Sequence, residues 1–118
     1  MTTIAMTSVT KDSLLAFMAA GFRALGLRLD DAQTFAEALV FSELRFHPGH
    51  GQGVKRLRRY KDRIEAHQVD PRAPWTILKE SPALALVDAH NGIGTVAAAR
   101  AMTLAIQKAK VCGIGQVV

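Results

Sequence analysis

The sequence predicts a protein of the α/β (α+β) class, in which an N-terminal three-helix segment is followed by strands and a long buried helix. Apolar residues recur at three- and four-residue spacing through the first half of the chain. Two short β-type runs then follow a proline-rich turn, and an alanine-rich stretch comes after them. With 118 residues, the chain is expected to form a single region. Residues 1–68 are helical in this prediction, and residues 69–118 start a mixed-sheet domain.

The first two helices have clear start and stop signals. The first is predicted to open at Thr10 and to end at Gly26. The second is predicted to be capped by Asp30 or Asp31 and to continue to about Phe46. Their apolar residues are predicted to face one core: Leu14, Leu15, Met18, Phe22 and Leu25 in the first helix, and Phe35, Ala36, Leu39 and Val40 in the second.

The remaining elements are predicted from periodicity and from Gly and Pro positions. They are a helix over 52–66, a turn over 70–74, neighbouring strands at 75–78 and 83–87, a helix over 94–111, and the opening of a buried strand at 114–118. Val54, Leu57, Tyr60 and Ile64 are the packing candidates of the third helix. The last helix is apolar on most sides, so other parts of a protein are expected to cover it.

The chain is basic, with a net charge of +5 and a pI near 9.9. Six of its fifteen basic residues lie within positions 55–63: Lys55, Arg56, Arg58, Arg59, Lys61 and Arg63. A solvated helix face is the simplest interpretation, and one or two of these residues are candidates for ligand binding. No nucleic-acid reading module is recognisable, so nucleic acid is not a predicted partner.

Cysteine usage and hydropathy indicate a cytoplasmic protein. Cys112 is the only cysteine, which excludes an internal disulfide and fits a reducing compartment. It is predicted to be a small buried thiol. No apolar stretch is long enough for a membrane span, and residues 1–10 do not resemble a signal peptide. No membrane partner is therefore predicted.

A glycine-rich loop over 47–53 leads into the third helix and carries the most chemistry. It contains His47, His50 and Gln52 among three glycines. Gln52, Arg56 and Tyr60 fall at i, i+4 and i+8, so a helix places them on one face. An amide, a guanidinium and a phenol could grip a small carboxylate there, because the Arg fork donates two parallel hydrogen bonds.

Other motifs are weaker. His47 and His50 are two possible imidazole ligands, and His67 could be a third after folding. There is no cysteine pair and only Glu43 as a nearby carboxylate, so no metal is predicted. His67 and His90 are interpreted as exposed loop histidines. The run 92–94, Gly-Ile-Gly before a helix, lacks the full dinucleotide-binding spacing, and a structural turn is the favoured interpretation.

Several runs in register resemble the type 2 malate/L-lactate dehydrogenase family. They are Glu43-Leu44-Arg45, the histidine-containing loop, Gly53-Val54-Lys55-Arg56-Leu57 with Tyr60, Val87 to Gly94, and Lys108 to Gly115. The resemblance implies an NAD- or NADP-dependent oxidoreductase that acts on small 2-hydroxy or 2-oxo acids. It also implies a homodimer, and a fold unlike the ordinary Rossmann domain. It places a further histidine and most cofactor contacts after Val118, so the 118 residues alone are expected to be inactive.

The family pattern assigns roles to the loop and the third helix. Arg56 would bind the substrate carboxylate, and Tyr60 would support the site. The acid/base histidine of the pattern corresponds to Gln52 when counted back from Arg56, and to His50 when counted forward from Arg45. An amide does not exchange a proton near neutral pH, whereas imidazole does, so the two alignments predict different chemistry. The alternative hypothesis is a non-catalytic helical module that binds an anionic partner through residues 55–63.

Overall fold

A computed structural model describes residues 7–45 and 53–118. Its elements are, in chain order, α1 (Lys11–Ala24), α2 (Leu29–Glu43), α3 (Gly53–Glu65), β1 (Thr76–Glu80), β2 (Leu84–Asp88), α4 (Gly94–Cys112) and β3 (Gln116–Val117). Three helices followed by strands and a long helix confirm the predicted fold class. Within the described ranges, no helix has the length and apolar character that a membrane crossing requires.

The helix starts differ in how well they were predicted. Thr10 caps α1 as expected, since its hydroxyl accepts a hydrogen bond from the Ser13 amide at 3.1 Å. The predicted cap of α2 is wrong, because Arg28 occupies the N-cap position without a side-chain cap. Asp30 and Asp31 lie in the first turn instead, where a negative charge still favours the helix dipole.

The helix ends also differ from the prediction in places. α1 ends before Gly26, which has a φ of 101°, a conformation that glycine adopts without strain. α2 ends at Glu43 rather than near Phe46, and Phe46 lies outside the described residues. The described part of α3 begins at Gly53; Gln52, where this helix was predicted to start, lies outside the described residues.

The core lies between the first three helices. Phe22 and Phe35 stack with their ring centroids 4.4 Å apart, and Tyr60 meets Phe35 edge-on at 4.8 Å. The four predicted core residues of α2 are all buried, which confirms its inner face. Leu57 packs against this core as predicted. Val54 does not, because it lines the open groove between α1 and α3 and is 46% exposed.

The sheet has the order β1-β2-β3. β1 and β2 pair antiparallel, which confirms the predicted neighbouring strands, and β3 pairs parallel to β2. An irregularity between Ile77 and Lys79 shifts the β1 register. The burial predicted for the last strand is not provided by the described residues: Ile114 before β3 is 67% exposed and Val118 after it is 70% exposed. β3 is an edge of the sheet in the described part of the chain, so these side chains have little to pack against.

α4 packs against the sheet on one side and against α2, where its buried Val96 joins the core. Lys108 is buried on the sheet side, and its Nζ donates to the Glu80 carboxylate at 2.8 Å and to the Ser81 carbonyl at 2.7 Å. The rest of its surface does not receive the expected cover from the described residues: Met102 is 61% exposed. The prediction of a buried thiol is wrong, because Cys112, the last residue of α4, is exposed.

Gly115 allows the chain to pass close to α4 before β3. A Cβ added at Gly115 would overlap the carbonyl oxygen of Ala105 and would lie 3.0 Å from the amide nitrogen of Ala109. We expect Gly115→Ala to lower the free energy of unfolding by about 1–3 kcal/mol, the usual effect of overpacking, measured by urea titration. Gly94→Ala is the control, because a Cβ there has no neighbour within 4 Å. Equal losses in both variants would contradict the close approach.

Candidate functional site

Arg56 lies one turn into α3 and is half-buried. Its Nε atom is buried and has no hydrogen-bond partner among the residues that the structure describes. Leaving a buried donor unpaired costs about 1–3 kcal/mol. A ligand carboxylate would remove this cost, and it is the group that a guanidinium binds best. Arg56 therefore has the strongest physical case for anion binding among the predicted site residues.

Tyr60 follows Arg56 by one helical turn on the same side of α3. Its ring contacts Phe35, and the guanidinium carbon of Arg63 lies 5.6 Å from the ring centroid. The contact with Phe35 holds the ring against the core. The predicted part of Tyr60 in substrate binding stays a prediction.

His50 and Gln52, the two candidates for the acid/base position, lie outside the described residues. Glu43 before this loop and Gly53 after it are described, and the two residues are in contact. A Cβ added at Gly53 would lie 2.8 Å from Cδ of Glu43 and 3.3 Å from its Cγ. The last residue of α2 therefore packs directly against the first residue of α3, and sequence reasoning had not singled out this contact.

The remaining basic residues of α3 behave as a solvated face. Lys61 forms an ion pair with Glu65 at 2.7 Å, and the hydrogen bond and charge of that carboxylate raise the pKa of Lys61 above its ordinary value. Lys55, Arg58 and Arg59 are exposed and form no ion pair within the described ranges. This agrees with the simplest interpretation of the basic run.

A buried carboxylate joins α2 to α4. Asp31 accepts a hydrogen bond from Arg100 at 2.6 Å and a longer one from Arg28 at 3.5 Å. Arg28 also donates to the Arg72 carbonyl at 2.9 Å. The adjacent cavity is about 20 Å³, which is room for about one water molecule, so it is not a substrate site. Sequence reasoning missed this cluster because Asp31 and Arg100 are 69 positions apart.

We expect Asp31→Ala to destabilise the protein by about 1.5–3 kcal/mol, because it removes a charge-assisted hydrogen bond to Arg100. The unfolding free energy from a urea titration measures the loss. Asp30→Ala is the matched control, since Asp30 is an exposed carboxylate in the same helical turn. A loss of the same size in the Asp30 variant would show that Asp31 acts only through the helix dipole.

The turn before α4 is shaped by steric contacts. His90 and Asn91 have φ values of 47° and 61°. A Cβ added at Gly92 would lie 2.9 Å from the Ala89 carbonyl oxygen and 3.0 Å from Cβ of Ala73. These contacts support the interpretation of the Gly-Ile-Gly run as a structural turn.

The two histidines predicted to be exposed are exposed. His67 and His90 both lie in turns, and the His90 ring is 2.9 Å from the Thr76 hydroxyl. In the described ranges, no three His, Cys, Asp or Glu side chains come together as metal ligands. His47 and His50 lie outside those ranges.

Comparison with known proteins gives a consistent result. The model of the malate/L-lactate dehydrogenase family matches residues 9–118. The chain is 40% identical over 110 residues to a malate dehydrogenase of Pyrococcus horikoshii, which covers 93% of this chain and 30% of that protein. It is 37% identical over 92 residues to an L-sulfolactate dehydrogenase of Methanocaldococcus jannaschii, covering 78% of this chain and 26% of that protein.

The fold agrees with these relatives. The solved structure of the Pyrococcus horikoshii malate dehydrogenase superposes with a TM-score of 0.87 over 94% of this chain and 31% of that one. The chain thus spans less than a third of the length of these relatives.

Proposed function

The chain belongs to the malate/L-lactate dehydrogenase family, and we propose that it contributes the substrate carboxylate site of an NAD- or NADP-dependent 2-hydroxy-acid dehydrogenase. The family match over residues 9–118 supports the reaction class. Relatives named malate dehydrogenase and L-sulfolactate dehydrogenase support a small, acidic 2-hydroxy acid as the substrate. The observation that carries the assignment is the buried Nε of Arg56, which has no hydrogen-bond partner among the described residues.

The proposed chemistry needs an anion site and a group at the substrate C2 oxygen. Arg56 binds the carboxylate and so fixes the orientation of C2. In the oxidation direction, C2 loses a hydride and its hydroxyl loses a proton. His50 in one alignment, or Gln52 in the other, holds the C2 oxygen. Tyr60 supports this arrangement from α3.

The nicotinamide cofactor would supply the hydride acceptor. The turn at Gly92 is the one glycine-rich candidate that the sequence offered for a dinucleotide. The space beside the Gly92 α-carbon is already occupied by Ala73 and by the Ala89 carbonyl. We therefore assign no cofactor contact to the described residues, and the choice between NAD and NADP is part of the assay below.

We also propose that the protein is a cytoplasmic homodimer. The family resemblance and the single cysteine favour this assignment. Exposed apolar side chains on α4, such as Met102 and Ile106, are consistent with further contacts.

A dehydrogenase assay of the complete protein tests the function. With NAD or NADP, we expect reduction of the nicotinamide in the presence of malate, lactate or sulfolactate, and none with the corresponding acids that lack the 2-hydroxyl group. Absence of turnover with all three acids and both nucleotides would contradict the proposal.

The second candidate is a non-catalytic module that binds an anionic partner. The exposed cations Lys55, Arg58 and Arg59 are the observation that favours it. Such a module would bind a polyanion such as heparin with an affinity that falls steeply with salt, and it would show no turnover in the assay above.

A further inference from the structure

Glu43 and Gly53 bring the end of α2 and the start of α3 into contact. A methyl group on Gly53 would lie 2.8 Å from Cδ of Glu43, so the Glu43 side chain fills the space beside the Gly53 α-carbon. Gly53 has a φ of 22° and is buried. The glycine therefore permits both the backbone conformation and the close approach of the carboxylate.

The negative charge of Glu43 is favourable near the N-terminus of α3. The first backbone N–H groups of a helix lack partners within the helix, and a negative charge near them is stabilising. α1 and α2 carry acidic residues in their own first turns, whereas α3 has none. The Glu43 side chain, at the end of α2, lies beside Gly53 and so places a negative charge near this end of α3.

We propose that Glu43 is a positioning residue that holds the first turn of α3 against α2 and thereby sets the place of Arg56. This inference rests on the proposed role of Arg56 in carboxylate binding. Arg56 follows Gly53 by three residues, or about 4.5 Å along the helix axis. A displaced start of α3 moves the guanidinium by a similar amount, and a misplacement of about 1 Å can reduce a rate by about a hundredfold.

Kinetics of the complete protein test the role. We expect Glu43→Ala to raise KM for the 2-hydroxy acid by about tenfold and to leave KM for the nucleotide unchanged. Glu43→Gln keeps the shape but loses the charge, so its effect should be smaller. Glu37→Ala is the control. Glu37 is also exposed on α2, and its carboxylate accepts a hydrogen bond from Gln33 of the same helix at 2.7 Å. Equal effects on both KM values, or an equal effect of Glu37→Ala, would overturn the proposal.

A double-mutant cycle shows whether Glu43 acts through Arg56. If it does, Glu43→Ala should have little further effect on substrate KM in the Arg56→Lys background, because coupled residues are not additive. Independent, additive effects would overturn the proposal.

Hydrogen exchange provides a readout without activity. The amides of residues 53–56 should exchange faster in Glu43→Ala than in the wild type, and unchanged exchange would overturn the proposed contact. Faster exchange together with an Arg56→Lys variant of unchanged KM would overturn the premise about Arg56 instead. The failure of this inference and the failure of the proposed function are therefore distinguishable.

Discussion

Replacing Arg56 with lysine is expected to weaken binding of the 2-hydroxy acid by about ten- to a hundredfold while the fold stays intact. A lysine ammonium is a point charge and cannot reproduce the two parallel hydrogen bonds of the guanidinium fork. The loss of one charge-assisted hydrogen bond corresponds to about 1.5–3 kcal/mol. Steady-state kinetics of the complete protein should show the loss mainly in KM for the hydroxy acid.

The matched control for this prediction is Arg59→Lys on the same helix. Arg59 is exposed and forms no ion pair in the part of the chain that the structure describes. Its replacement should leave both kinetic constants near the wild-type values. An Arg56→Lys enzyme with unchanged KM and turnover would remove Arg56 from the site.

Alanine at position 50 or 52 is expected to distinguish the two alignments of the loop. If His50 is the acid/base, His50→Ala should lower turnover by about a hundredfold or more, the usual contribution of a positioned proton donor. Gln52→Ala should then mainly weaken binding. If Gln52 holds the C2 oxygen, its amide only donates or accepts a hydrogen bond, so the proton must come from water or from another group. His50→Ala should then have almost no effect on turnover.

We expect Gln52 to hold the C2 oxygen and His50→Ala to have almost no effect on turnover. The match to the family pattern is unbroken from Gly53 to Leu57, and α3 begins at Gly53, so an insertion there would disturb the helix register. The loop before it is two residues longer than the family pattern, and a loop can absorb two extra residues at little cost. The pH–rate profiles of both variants provide the measurement. An ionisation near neutral pH that disappears in His50→Ala, together with most of the turnover, would contradict this expectation.

Only one part of the candidate site could be predicted from the local sequence, namely the residues whose relative position is set by their spacing along one helix. Arg56 and Tyr60 share a side of α3 because they are four residues apart. Spacing could not predict that the Tyr60 ring would rest on Phe35 of another helix. It also could not predict that the Arg56 Nε would be buried.

The sequence by itself determined the order and type of the elements, because apolar periodicity, the Thr10 cap and the glycines at helix ends act within a few residues of the chain. Only the tertiary structure decided which distant groups meet. Asp31 pairs with Arg100, and Gly115 passes against the backbone of α4. Such contacts depend on how whole helices and strands pack, and a carboxylate or a glycine looks the same in the sequence whether or not a partner reaches it.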